Sequence, residues 1–267
     1  MKLLVQSDDY GFTRGITLGI LDAVERGIVT CTGLFVNMPE SAYAASRIQD
    51  YPETCFGIDF NIVSGPCVAD PKQIPHLVDA DGIFIRSTVK YADPNFGQAE
   101  LWPYEEVLVE IRAQLQRYRD LTGRNPEYLH GHSISRVSPA YIKAIEALSV
   151  ESGIPYSQKI LNQFNVGRMK GSWNIKPFSL ENQMKTSALE YVKAHADELL
   201  DYEYAMIGGH AGFIDADIFR WSTYSLIRCK DHEMMTSDFM KEWIDKHHIQ
   251  LISYRDLKDT SDKDYRI

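Results

Sequence analysis

The chain has 267 residues, with 28 Lys+Arg against 37 Asp+Glu and a formal net charge of −9. A content of 44% hydrophobic and 24% charged residues excludes a disordered chain, and the length suits one large domain or two small ones. The acid excess argues against nucleic acid or an anionic membrane as partner, since either surface would repel the protein's field.

Leu3-Leu4-Val5 reads as a first strand that ends at Ser7-Asp8-Asp9-Tyr10-Gly11. Thr13 is placed to N-cap a helix carrying Ile16, Ile20, Leu21 and Val24, with Gly27 as its stop. A second β-rich run covers Thr30 to Asn37 and breaks at Pro39; a helical stretch from Glu40 then leads to a strand around Phe56 to Val63. Residues 64–103 carry five scattered prolines (Pro66, Pro71, Pro75, Pro94 and Pro103) and read as a long loop or insertion. From Glu105 the apolar positions Val107, Ile111, Leu115 and Tyr118 predict a helix that Gly123 ends. A short strand at Tyr128-Leu129-His130 precedes a helix with Ile142, Ile145 and Leu148, and Gly153-Ile154-Pro155-Tyr156 suggests the start of another strand. Residues 161–178 are ambiguous. A helix from Leu180 to Leu200, a strand from Tyr204 to Gly208, a helix from Phe239 to Lys246 and a strand from Gln250 to Ser253 complete the pattern. The alternation signals an α/β fold with a parallel sheet, about seven β/α units in one barrel-like domain over residues 1–267.

Cys31, Cys55, Cys67 and Cys229 are widely spaced with no C-x-x-C pair, which speaks against a disulfide framework or zinc knuckle. The opening residues reach Asp8-Asp9 too soon for a signal peptide, and no run approaches the roughly 18 apolar residues of a membrane span. A cytoplasmic protein is expected.

In parallel α/β folds reactive side chains gather at the carboxyl ends of strands. Four strand ends here deliver acids or imidazoles: Asp8-Asp9, Asp59 with Asn61, His130 with His132, and His210 followed by Asp215. In an extended segment Asp8 and Asp9 point to opposite sides, so one could bind a metal while the other reaches a substrate water. Their plainer reading is an Asx turn or an N-cap pair. His130 and His132 straddle Gly131 and would face one side of a strand, which suits a divalent metal but equally a capping role. His210 sits in Gly208-Gly209-His210-Ala211-Gly212, where the backbone is free to bring the ring close to a ligand. His195, His247 and His248 fall on apparent helices and read as solvent-facing, and His76 and His232 lack a supporting pattern. Mixed oxygen and nitrogen donors with an open position point to metal-assisted amide or ester hydrolysis. The chain has no G-x-S-x-G elbow, P-loop or G-x-G-x-x-G, so serine-hydrolase, NTPase and dinucleotide readings lack support.

The segments Leu3 to Gly11, Gly19 to Ala23, Gly27 to Thr32 and Val36-Asn37-Met38-Pro39 resemble the N-terminal signature of the YdjC (ChbG-like) carbohydrate deacetylases. Gly57 to Asn61, Tyr128 to His132, His210 to Asp215 and Leu251 to Leu257 continue the resemblance in the family's order. It implies an irregular (β/α) barrel that uses one divalent metal ion to remove acetyl groups from N-acetylated amino sugars such as chitooligosaccharides. By the same resemblance Asp8 matches the catalytic base, Asp9 and His132 match metal ligands, and His210 matches the catalytic acid. Two positions depart from the pattern: Asp59 stands where the family carries a metal-binding His, and His130 where it carries an Asp. The H-x-H tail after His132 is also replaced, by Ser133-Ile134-Ser135-Arg136. A reciprocal swap between neighbouring strands would make Asp59 the third ligand and tilt the site towards harder ions, with Mg²⁺ and Zn²⁺ the foremost candidates. The alternative is a sugar-binding or regulatory paralogue with weakened catalysis. Trp102, Trp173 and Trp221 are candidates to stack on sugar rings, although each taken singly reads as packing. The expected partner is a small saccharide; a homodimer is possible, without an interface signature in the sequence.

Overall fold

Alternating side chains along the first strand divide the molecule into an inside and an outside. Leu3 and Val5 pack outward in the larger apolar cluster, under the helices, whereas Leu4 faces a smaller cluster with Cys31, Cys55, Tyr128, Met206 and Tyr254. Both faces of the strand are therefore buried, which explains its unbroken apolar run.

In a computed structural model, which describes residues 1–134 and 137–257, the chain runs as follows. Strand β1 (Lys2–Tyr10) leads to α1 (Arg14–Glu25), β2 (Cys31–Leu34), α2 (Ser41–Arg47) and β3 (Cys55–Phe60). Helices α3 (Ser87–Tyr91) and α4 (Tyr104–Thr122) precede β4 (Leu129–Gly131), α5 (Pro139–Ser152) and α6 (Ser157–Gln163). Helices α7 (Leu180–Lys185) and α8 (Ala188–His195) lead to β5 (Tyr204–Gly209). Then come α9 (Ile218–Trp221), α10 (Leu226–Thr236), α11 (Asp238–Lys246) and β6 (Gln250–Ile252). The strands form one parallel sheet in the order β4-β3-β2-β1-β5, with β6 against the first residues of β1. Single parallel bridges, Leu129 with Tyr156 and Gly167 with Ala205, add one pair beyond each end strand. This is the parallel α/β architecture expected, with six named strands and two single bridges against the seven or so read from the sequence.

The sheet must curl. Strands β4 and β1 are three steps apart, about 14 Å in a flat sheet at ~4.8 Å per step. Yet His130 Nε2 on β4 lies 3.9 Å from Asp8 Oδ2 on β1. Two glycines clear the interior. A Cβ on Gly57 would stand 2.5 Å from the Tyr128 ring, and one on Gly33 2.2 Å from Asp59 Oδ1. The strands thus keep hydrogen on one side where a large ring and a carboxylate must fit.

Local signals account for most helix limits. Thr13 caps α1 by accepting the Ile16 N–H, and Gly123 ends α4 in a left-handed conformation at φ 70°. The helix expected from Leu180 to Leu200 is instead broken. Thr186 is extended, and Ser187 starts α8 anew by accepting the Glu190 N–H at 3.3 Å. The strand expected near residue 154 is reduced to the Tyr156 bridge, because α6 begins one residue later.

Residues 64–103 do form a long connection, with short helix α3 and two antiparallel bridges. Its start is held by α4. Glu110 accepts the N–H groups of Val68 (3.1 Å) and Ala69 (2.9 Å), and Gln114 Nε2 donates to Glu110 Oε1 (2.7 Å) and to the Asn61 carbonyl (2.6 Å). Burial pushes the Glu110 carboxyl up to about 7 despite those donors. The folded state therefore holds this proton more tightly than the unfolded chain does. The resulting stabilisation is complete below the ordinary value of 4.5 and is lost as pH rises through about 7. Denaturant melts should show a decline of about 3 kcal/mol across that window, shallower in Glu110→Gln; parallel profiles for the two proteins would contradict this.

Candidate metal centre

The carboxyl end of β1 departs from regular strand geometry. Asp9 has φ 73°, and the pairing with β2 shifts register between Ser7 and Tyr10. The kink leaves Asp8 in the interior column above Gln6, while the Asp9 carboxylate becomes fully buried.

Asp8, Asp59 and His130 each offer one donor atom, and these three atoms lie within 4.8 Å of one another. Asp59 and His130 are direct register partners on β3 and β4. The carboxylate and imidazole that depart from the family pattern therefore occupy facing places on adjacent strands. Asp59 Oδ2 accepts the Asp9 N–H at 2.9 Å, whereas its Oδ1 is buried without a hydrogen-bond partner among the described residues. Burial, followed by the charges of Asp8 and Asp9, pushes the Asp59 carboxyl well above the usual range. A cation would reverse that pressure. His130 Nδ1 pairs with Ser157 Oγ at 2.8 Å, which leaves Nε2 towards Asp8. Burial lowers the His130 pKa and so favours the neutral ring, the form that ligates metals. An orphaned oxygen, a neutral imidazole and crowded carboxylates together fit a divalent cation.

Asp9 and His132 lie beside this group but are engaged with each other and with Arg228. Arg228 Nη2 donates to Asp9 Oδ2 at 2.7 Å, and His132 Nδ1 stands 2.8 Å from Asp9 Oδ1. Burial alone would raise the Asp9 carboxyl, but the His132 and Arg228 charges outweigh it and hold it well below the usual range. Arg228 is itself 2% exposed, lies over the rings of Phe12 and Tyr224, and donates through Nε to the Tyr224 carbonyl.

His210 completes the site from β5. Its Nε2 lies 4.0 Å from Asp8 Oδ2. Behind it, Asp231 Oδ2 accepts the His210 N–H at 2.8 Å and lies 4.0 Å from Nδ1, and Asp231 Oδ1 accepts the Trp173 indole N–H at 2.9 Å. The Tyr224 ring is 5.1 Å from that of His210.

The structure thus brings Asp8, Asp59, His130 and His210 together, with Asp9 and His132 in an adjoining ion-paired set. Asp215 accepts the N–H groups of Gly15 and Ile218 and acts as a brace. Asn61 binds the Asn37 side chain and the Ser64 carbonyl. Trp102 is a core residue, Trp221 packs partly buried against the core, and Trp173 reaches the site through Asp231. His76 pairs with Glu106 and His232 with Asp22, both away from the centre. Of the altered tail after His132, Ser135 and Arg136 lie outside the described residues. Sequence reasoning missed Arg228 and Asp231, both on α10. Their spacing of i and i+3 puts them on one helix face, the signal that could have found them.

The fold and the donor group describe a parallel α/β protein with side chains that could hold a metal ion gathered at the carboxyl ends of its strands. The chain belongs to the YdjC family: the YdjC-like protein model matches residues 2–246. "Carbohydrate deacetylase 2" of Listeria innocua is 31% identical over 258 residues, covering 96% of this chain and 99% of that one. "Chitooligosaccharide deacetylase" of Citrobacter koseri is 26% identical, over 96% and 98% of the two chains. Among solved structures, an Enterococcus faecalis protein named for cellobiose-phosphate cleavage superposes with a TM-score of 0.76 at 23% identity, covering 97% of this chain and 99% of that one, and shares the fold.

If the three donors hold an ion, added divalent metal will raise the melting temperature of the wild type. Asp59→Asn removes one crowded carboxylate, so the metal-free variant should be at least as stable while its metal-induced shift disappears. Equal metal shifts in both proteins, read by calorimetry, would exclude Asp59 as a ligand.

Proposed function

We propose that the protein is a metal-dependent hydrolase that removes acetyl groups from N-acetylated amino sugars or small oligosaccharides of the chitooligosaccharide type. The convergence of Asp8, Asp59 and His130, with His210 at 4.0 Å from Asp8, carries this reading. Membership of a family whose relatives bear carbohydrate deacetylase names supports the substrate class.

In this reading Asp8, Asp59 and His130 would hold the ion, which when bound would supply Lewis-acid chemistry to the acetyl carbonyl and to the attacking water. We favour this set over the one carried from the family because Asp9 Oδ2 accepts from Arg228 and Asp9 Oδ1, itself without a hydrogen-bond partner among the described residues, stands 2.8 Å from His132 Nδ1 as an ion pair. Asp9 then anchors the kinked end of β1 through those charges. With Asp8 engaged as a donor, proton transfer falls to His210 Nε2. It takes a proton as water attacks the acetyl carbon and returns one to the amine as the C–N bond breaks. Asp231 steadies the ring from behind through the His210 backbone and stands near Nδ1. Two carboxylates with one imidazole admit Zn²⁺ and favour Mg²⁺ more than an imidazole-rich set would. No helix among the described residues is long and apolar enough to cross a membrane. On the widely spaced cysteines, which suit a reducing compartment, we propose that the protein acts in the cytoplasm as one barrel unit.

The test is acetate release from N,N′-diacetylchitobiose by metal-stripped protein resupplied with Mg²⁺, Mn²⁺, Co²⁺, Ni²⁺ or Zn²⁺. At least one ion should restore activity, and His210→Ala should lower kcat by about 10²–10⁴-fold while leaving metal affinity unchanged. Sugar binding with no acetate under any ion would instead support a regulatory or binding protein.

A further inference from the structure

One polar pair beneath the centre, Gln6 and Tyr254, belongs to none of the roles above. Gln6 and Asp8 share the inward face of β1, two residues apart, so the Gln6 amide lies directly below the Asp8 carboxylate. Gln6 is 1% exposed, and its register partner on β2 is the buried Cys31, which pairs in turn with the buried Cys55 on β3. A buried amide in such surroundings costs free energy unless its hydrogen-bonding groups are satisfied.

Both of its ends are satisfied, and in only one orientation. Tyr254, just past β6, donates its hydroxyl to Gln6 Oε1 at 2.6 Å. Gln6 Nε2 then donates to Asp8 Oδ1. The reverse amide orientation would set Oε1 against the Asp8 carboxylate, acceptor facing acceptor, and turn the NH₂ group towards the Tyr254 hydroxyl. Tyr254 is 3% exposed, and its ring lies 4.3 Å from that of Tyr128, so the hydroxyl is held in place by packing. The other Asp8 oxygen, Oδ2, is the one that faces His130 Nε2 at 3.9 Å and His210 Nε2 at 4.0 Å.

We propose that Gln6, oriented by Tyr254, is a positioning residue that occupies Asp8 Oδ1 and leaves Oδ2 as the single oxygen presented to the ion and to His210. This rests on the reading of Asp8, Asp59 and His130 as the metal centre. A ligand carboxylate fixed through its other oxygen keeps its direction when the ion leaves, and loss of such a support weakens metal binding without touching the substrate side.

Isothermal titration of metal-stripped protein with Mn²⁺ and with Zn²⁺ tests it, alongside steady-state acetate release. Gln6→Leu should weaken metal binding by about 10–100-fold. It should lower kcat at subsaturating metal and leave the KM for saccharide within about twofold of wild type. Tyr254→Phe deletes one hydroxyl from a packed ring and keeps the test open should Gln6→Leu fail to fold; it should weaken metal binding in the same direction by a smaller factor. Wild-type metal affinity in the folded variants, with only a lower melting temperature, would overturn the proposal and leave Gln6 as core. Asp59→Asn separates the two readings. Binding lost in Asp59→Asn but intact in Gln6→Leu refutes the Gln6 role alone, whereas a wild type that binds no ion refutes the metal centre and this proposal with it.

Discussion

Three carboxylates, Asp8, Asp9 and Asp59, meet at one end of a largely buried sheet, and the rest of the site follows from how their charge is balanced. Asp9 is answered within the protein, by Arg228 and His132. Asp59 is not: among the described residues it accepts one hydrogen bond, from the Asp9 backbone N–H, and its second oxygen has no hydrogen-bond partner. Such an arrangement is costly for an unoccupied protein and natural for one that holds a cation, because burial of unpaired like charges is tolerated where a ligand repays it.

The scaffold supplies the crowding. The curl of the sheet draws β4 and β1 together, and Gly33 and Gly57 remove the side chains that would otherwise fill the space. Beneath the carboxylates the inward positions change from charged to polar to apolar within five residues of β1, from Asp8 through Gln6 to Leu4. That gradient places the functional groups at the open end of the strands and the sealed core below them. The expected exchange of Asp59 and His130 relative to the family pattern would be spatially simple for the same reason: as register partners the two positions could trade donor types and still address one point.

Much of this was legible in the amino-acid order. The strand ends offered Asp8 with Asp9, Asp59, His130 with His132, and His210, because alternation and the carboxyl-end rule depend only on local pattern; the expected ligands Asp9, Asp59 and His132 came from the resemblance. The parallel α/β class followed from the spacing of apolar runs and glycine stops. What escaped was carried by non-local contacts. Helix α10 was not foreseen, since Arg228 and Asp231 interrupt its apolar face, and both charges are buried only because the site receives them. The Leu180 to Leu200 stretch reads as one helix until Ser187 is seen to cap a new one. The division of labour between Asp8 and Asp9 was equally hidden, because it turns on a left-handed residue and on a partner 219 positions away.

The most direct test of this account is anomalous diffraction at the metal edge from crystals soaked in Zn²⁺ or Mn²⁺. The account predicts one peak bounded by Asp8, Asp59 and His130 Nε2, with the Asp9–Arg228 ion pair intact beside it. A peak bounded instead by Asp9 and His132, with Arg228 displaced from Asp9, would contradict it.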